Sequence, residues 1–174
     1  MPKALSQNYC YKSFKMNFTD DASMEQDILK SPDFNALIQE SYTLTSSGLH
    51  ITRYQGDVCS RFRIWQEETG IFLAEEPLEF SKPLDKELFQ EEHDSNEQRC
   101  LIPFPLVEGH SYQDRYGRIT IQSLDDLSLK VIDELLDNDG NRKALTCTSY
   151  KLHEWMVSQT FESAQMTYHL DRCV

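Results

Sequence analysis

The chain has 174 residues, 39% of them hydrophobic and 11% aromatic, and a formal net charge of −12. That length and apolar content suit one domain with a single core and argue against wholesale disorder. The acid excess argues against nucleic-acid binding and against adsorption to anionic membranes, since both require clustered Lys and Arg.

The charge is local. Between Glu67 and Glu97, eleven acids face only two bases, Lys82 and Lys86, so nine of the twelve net negative charges sit there. No stretch approaches the ~20 apolar residues of a membrane helix. The first residues carry lysines but no apolar signal core, so a cytoplasmic location is expected. Five cysteines (Cys10, Cys59, Cys100, Cys147, Cys173) are widely spaced with no Cys-x-x-Cys pair. They read as reduced thiols of an intracellular protein, not as a zinc site.

In chain order, residues 1–19 read as a weakly ordered lead-in with strand character from Phe14 to Phe18. Residues 20–174 read as one α+β domain. Asp21 caps a short helix with Met24 and Ile28 one turn apart. Ser31-Pro32-Asp33 restarts a helix with Ser at the N-cap and Pro at N1; Phe34, Leu37, Ile38 and Tyr42 form its apolar face. Ser46-Ser47-Gly48 ends this helical hairpin. The period then changes to two: Leu49 to Tyr54, Val58 to Gln66 and Ile71 to Glu75 read as antiparallel strands joined by tight turns.

Pro77 and Pro83 interrupt the ladder, and residues 77–99 read as an acidic flexible loop or lid containing a short helix from Leu84 to Glu92. Pro103 and Pro105 make Leu101 to Val107 an extended edge segment. Arg118 to Gln122 reads as a strand. Residues 123–137 admit two readings. Leu124, Leu127, Val131 and Leu135 recur at helical spacing, which favours a helix; the alternative is a strand with Leu127, Leu129 and Val131 on one face, turning at Asn138-Asp139-Gly140. Ala144 to Leu152 reads as a strand, and Glu154 to His169 as two further strands, with a helix over Trp155 to Phe161 as the alternative. The expected fold is α+β: an N-terminal helical hairpin followed by a strongly bent, barrel-like antiparallel sheet.

Catalytic signatures are missing: no phosphate-binding glycine loop, no nucleophile elbow, no His-Glu-x-x-His. No cofactor, metal site or catalytic residue is assigned from the sequence. The leading reading is a non-enzymatic interaction module (adaptor, inhibitor or chaperone-like) that presents Glu87, Glu91, Glu92, Asp94 and Glu97 to a basic protein partner. The alternative is a carrier or cofactorless enzyme holding a small anionic or aromatic ligand in a cup-shaped sheet under the acidic lid. Its pocket would use Arg61, Arg63 and Trp65 on one strand face with His110, Tyr112 and Arg115 from a reactive loop.

Overall fold

The computed structural model describes residues 6–18, 24–27, 37–77 and 98–173. Every regular element among them is a β-strand: β1 (Ser6–Phe18), β2 (Met24–Asp27), β3 (Leu37–Thr45), β4 (Gly48–Gln55), β5 (Val58–Glu67), β6 (Gly70–Glu76) and β7 (Gln98–Pro103) come first. Then follow β8 (Ser111–Gln113), β9 (Gly117–Leu124), β10 (Ser128–Leu136), β11 (Arg142–Lys151), β12 (Trp155–Ser163) and β13 (Met166–Arg172).

The α+β expectation with a helical hairpin is therefore corrected. Met24–Asp27 pairs with β1 as a strand, and the stretch that supplied Leu37, Ile38 and Tyr42 to the expected helix is β3. Ile38, Glu40 and Tyr42 are buried at period two while Gln39, Ser41 and Thr43 are exposed. The inward acid Glu40 breaks the apolar alternation and makes the segment look helical. Residues 128–136 repeat this. Leu129 and Val131 are buried on one face while Leu127 stands 69% exposed in the turn before them, and the inward Asp133 hides the period. The strand alternative was the correct one there, with its turn at residues 137–141 held by Asp137 Oδ1, which accepts from the Asp139 and Asn141 amides. The Ser31-Pro32 restart and the Leu84 to Glu92 helix lie outside the described residues.

The strand order is β7-β6-β5-β4-β3-β1-β13-β12-β11-β10-β9-β8, with β2 on the far half of β1. All pairs are antiparallel. Most consecutive strands pair through short turns, with β6 and β7 joined across residues 77–97, and the meander bends until β1 lies between β3 and β13. The result is a nearly closed antiparallel barrel. The two ends of the path approach each other through side chains: Phe72 of β6 packs edge-on against Tyr112 of β8, and Arg99 of β7 reaches Asp133 of β10. One apolar cluster fills the interior, built on Tyr9, Ile51, Ile64, Ile119, Ile121 and Leu170. Among the described residues no helix is long and apolar enough to cross a membrane.

Cys10 and Cys173 form a disulfide across the β1–β13 seam, with Cα atoms 5.9 Å apart. The expectation of five reduced thiols is corrected for this pair. Their 163-residue separation conceals a contact that only closure of the meander creates. Cys59, Cys100 and Cys147 are free.

Candidate functional site

Cross-strand register carries one face of the sheet all the way round the barrel. Directly opposed residues share a face, so Tyr9 faces inward with Ile38, Tyr42 with Ile51, and Glu40 with Arg53. Glu40 is 2% exposed. A carboxylate so placed must be paired and hydrogen-bonded. Arg53 Nε donates to Glu40 Oε1 at 2.7 Å, and a second guanidinium nitrogen lies 2.5 Å from the same oxygen. Tyr42 donates to Glu40 Oε2 at 2.8 Å. The Tyr9 hydroxyl lies 3.4 Å from that of Tyr42 and donates to the Met156 carbonyl at 3.2 Å. Burial pulls the Arg53 pKa down, but the charge and hydrogen bond of Glu40, with smaller contributions from Tyr168 and Tyr11, together outweigh it and the net direction is up. Arg53 nevertheless keeps 38% of its side chain accessible, so water reaches the pair from one side only.

That side is the barrel end bearing the turns at 56–57, 114–116, 137–141 and 164–165. Here the inner face changes character. Tyr11, Phe14, Phe62, Phe161 and Tyr168 are all half-buried. Tyr168 stacks on Phe161 at 5.3 Å and meets Tyr11 edge-on at 5.7 Å, while Tyr11 contacts Phe14 at 5.6 Å. Arg53 lies 5.3 Å over Phe62. The Tyr168 hydroxyl donates to Gln159 Oε1 at 2.8 Å, and Gln159 Nε2 donates to Thr148 at 3.1 Å. The other end is closely packed and buried, mixing Leu49, Ile64 and Leu129 with Tyr150, Trp155 and Met156.

These phenols set an alkaline limit. Burial pushes Tyr9 and Tyr168 up to about 12 and raises Tyr42 and Tyr150 as well. An unfolded tyrosine loses its proton near ~10, so above that the unfolded chain releases protons that the fold retains. The stabilisation is complete below about pH 10 and lost as pH rises towards about 12. Thermal melts should hold a steady midpoint up to about pH 10 and fall beyond it, with Tyr9→Phe reducing the fall. A midpoint independent of pH across that window contradicts the buried phenols.

A second polar cluster joins the ends of the path. Arg99 makes two hydrogen bonds to Asp133, at 3.0 and 3.1 Å. Its Nε stands 3.7 Å from Asp114 Oδ2, and neither of these buried atoms has a hydrogen-bond partner among the described residues. Burial raises the Asp133 pKa against the opposing pull of Arg99, and raises the neighbouring Cys100 thiol to about 12.

The six ligand residues expected from the sequence divide. Arg61 and Arg63 lie on the face opposite Phe62 and Ile64. Arg61 stands 3.8 Å from Glu76. Arg63 stacks over Trp65 at 4.5 Å, Trp65 stacks on Phe72 at 6.2 Å, and Phe72 meets Tyr112 at 5.7 Å. Arg63, Trp65 and Tyr112 are thus linked through Phe72. His110 and Arg115 stand apart from this chain: the His110 amide donates to the Val107 carbonyl, and Arg115 lies over Tyr116 at 4.7 Å. Arg63 and Trp65 line an open groove of about 490 Å³ with Ser46, Ser47, Gln66, Glu67 and Gln98. The acids Glu87, Glu91, Glu92, Asp94 and Glu97 lie outside the described residues.

Sequence reasoning missed Glu40, Arg53 and the aromatic set. The signal was a charged residue at the inward position of an alternating run, Ile38-x-Glu40-x-Tyr42. No protein-family model matches the chain, and no curated protein or solved structure matches it either.

Proposed function

We infer that the protein is a carrier for a small, flat organic molecule seated at the aromatic end of the barrel. The observation that supports this is the change along the inner face, from closely packed, buried side chains to partly exposed aromatic rings around a guanidinium that water can reach. Ligand sites are concave, mostly apolar and fitted with a few fixed polar groups, commonly in the mouths of β-barrels. Phe161 and Tyr168 offer a stacking surface and Gln159 a hydrogen-bonding amide. Glu40 already neutralises Arg53, so the favoured ligand is an uncharged ring system, not a strong anion. Docking of a basic protein on the acidic segment rests on the charge pattern alone.

Titration with 1-aminoanthracene, a neutral fluorescent ring compound, tests the reading. Saturable one-to-one binding is expected, weakened about tenfold by Phe161→Ala, a loss of ~1.4 kcal/mol. Near-ultraviolet circular dichroism would confirm that the variant is folded. Absence of saturable binding to the folded wild-type chain removes the carrier reading.

A further inference from the structure

On the outer face, away from the aromatic mouth, Ser47, His50 and Glu76 stand in hydrogen-bonding sequence. His50 Nδ1 lies 2.7 Å from Glu76 Oε1, and His50 Nε2 lies 3.1 Å from Ser47 Oγ. Glu76 reaches the ring from two strands away: His50 pairs with Arg63 across β4–β5, and Glu76 with Arg61 across β5–β6. His50 and Glu76 each keep only 21% of their side chains exposed, while Ser47 is exposed in the β3–β4 turn. The arrangement runs from shielded acid to shielded imidazole to accessible hydroxyl.

Counting protons assigns the roles. A carboxylate only accepts, so His50 carries its proton on Nδ1 and presents the Nε2 lone pair outward. Thr45 Oγ1 also lies 3.0 Å from Nε2, but it accepts from the Ser47 amide at 3.2 Å and has its own acceptor in the Gly48 carbonyl at 3.3 Å. Ser47 Oγ also lies 2.9 Å from Thr45 Oγ1, so its proton has two acceptors, Thr45 Oγ1 and His50 Nε2, and the second places it for transfer to the imidazole. Gly48 keeps this turn tight: its φ is +132°, and a Cβ there would collide with the Ile64 carbonyl. Ser47 opens onto the groove with Arg63, Trp65 and Gln98. Arg63 makes no ion pair among the described residues and is held flat on Trp65.

We propose that Ser47, His50 and Glu76 form an esterase site for carboxylic esters that carry an aromatic ring and a negative charge. The nucleophile, base and orienting acid recur on unrelated folds and are recognised by geometry. Ser47 Oγ adds to the ester carbonyl as its proton passes to His50 Nε2. Glu76 is the positioning residue that holds the imidazole and the imidazolium. Collapse of the adduct expels the alcohol, which takes that proton and leaves an acyl-Ser47 ester. Water then attacks the acyl carbon, His50 receives its proton and returns it to Ser47, and the carboxylic acid departs. Arg63 would pair with the anionic group and Trp65 with the ring. The site is independent of the carrier reading, because Ser47 and the mouth lie at opposite ends of β4 and on opposite faces.

A fluorophosphonate probe applied to the full-length chain, with the adduct mapped by mass spectrometry, reads the nucleophile without any variant. The expected result is a single adduct on Ser47, none on the heat-denatured chain, and labelling slowed about 100-fold by His50→Gln. Mono-p-nitrophenyl succinate should be hydrolysed with a severalfold higher kcat/KM than p-nitrophenyl acetate, and Arg63→Gln should erase that preference. Glu76→Gln should lower kcat at least tenfold with KM unchanged, a split that simple destabilisation would not produce. An unlabelled folded wild-type chain, an adduct on another residue, or equal labelling rates with and without His50 would each overturn the proposal.

Discussion

Replacing Arg53 with methionine is expected to lower stability by about 3 kcal/mol, the low end of the cost of breaking a buried ion pair. The loss comes mainly from what is left behind. Glu40 is 2% exposed, and without the guanidinium Tyr42 is its one remaining hydrogen-bond donor among the described residues. The reverse change, Glu40→Gln, should cost less. It leaves a neutral amide in the buried position, and Arg53, 38% accessible, can be hydrated from the mouth. The double variant Glu40→Gln with Arg53→Met should recover part of the single loss, since two apolar or neutral groups replace two charges. Urea unfolding of the four proteins gives the coupling directly. Equal costs for the two single changes would mean that Glu40 is less isolated from water than its burial indicates.

Loss of the Cys10–Cys173 bridge carries the second large effect. The bridge closes a loop of 163 residues, and removing a cross-link of that span costs roughly 2–5 kcal/mol, mostly by freeing the unfolded chain. Cys10→Ser and reduced wild-type protein should therefore show the same lowered guanidinium midpoint. Both should also have a steeper dependence on denaturant, because the uncrosslinked unfolded chain exposes more surface. The folded barrel should survive, since β1 keeps its backbone pairing to both β13 and β3. Unchanged midpoints on reduction would contradict a stabilising role.

What could be read from the residues followed from how well hydrophobic period and position agreed. The tight turns and alternation from Leu49 to Glu75 identified three antiparallel strands, and β4, β5 and β6 lie there. β9, β11, β12 and β13 were likewise legible as strands. The failures at β3 and β10 share a cause. β3 and β10 each place an acid inward, Glu40 and Asp133, and each acid is matched by an arginine from elsewhere in the chain, Arg53 and Arg99. Local periodicity treats such an acid as a solvent-facing position, and a period of two then resembles one of 3.6. The compensating arginine is 13 residues away in one case and 34 in the other, beyond the reach of a local pattern. The same distance effect hid the disulfide and the alignment of Ser47, His50 and Glu76. Arg63 and Trp65 were visible as a pair on one strand face, but which face looked inward depended on closure of the whole sheet.

The strand order also has a kinetic consequence. Nearly every pairing in the barrel joins strands that follow one another in the chain, so most of the ladder can form by adding hairpins, each closing a short loop at modest entropic cost. A single pairing, β1 with β13, spans almost the entire sequence and must wait until the intervening strands have been gathered. Non-local closure of this kind slows folding, and it concentrates the barrier at one seam. Oxidation of Cys10 and Cys173 during refolding therefore reports a late event, and a rate-limiting search between the first strand and the last is the expected bottleneck.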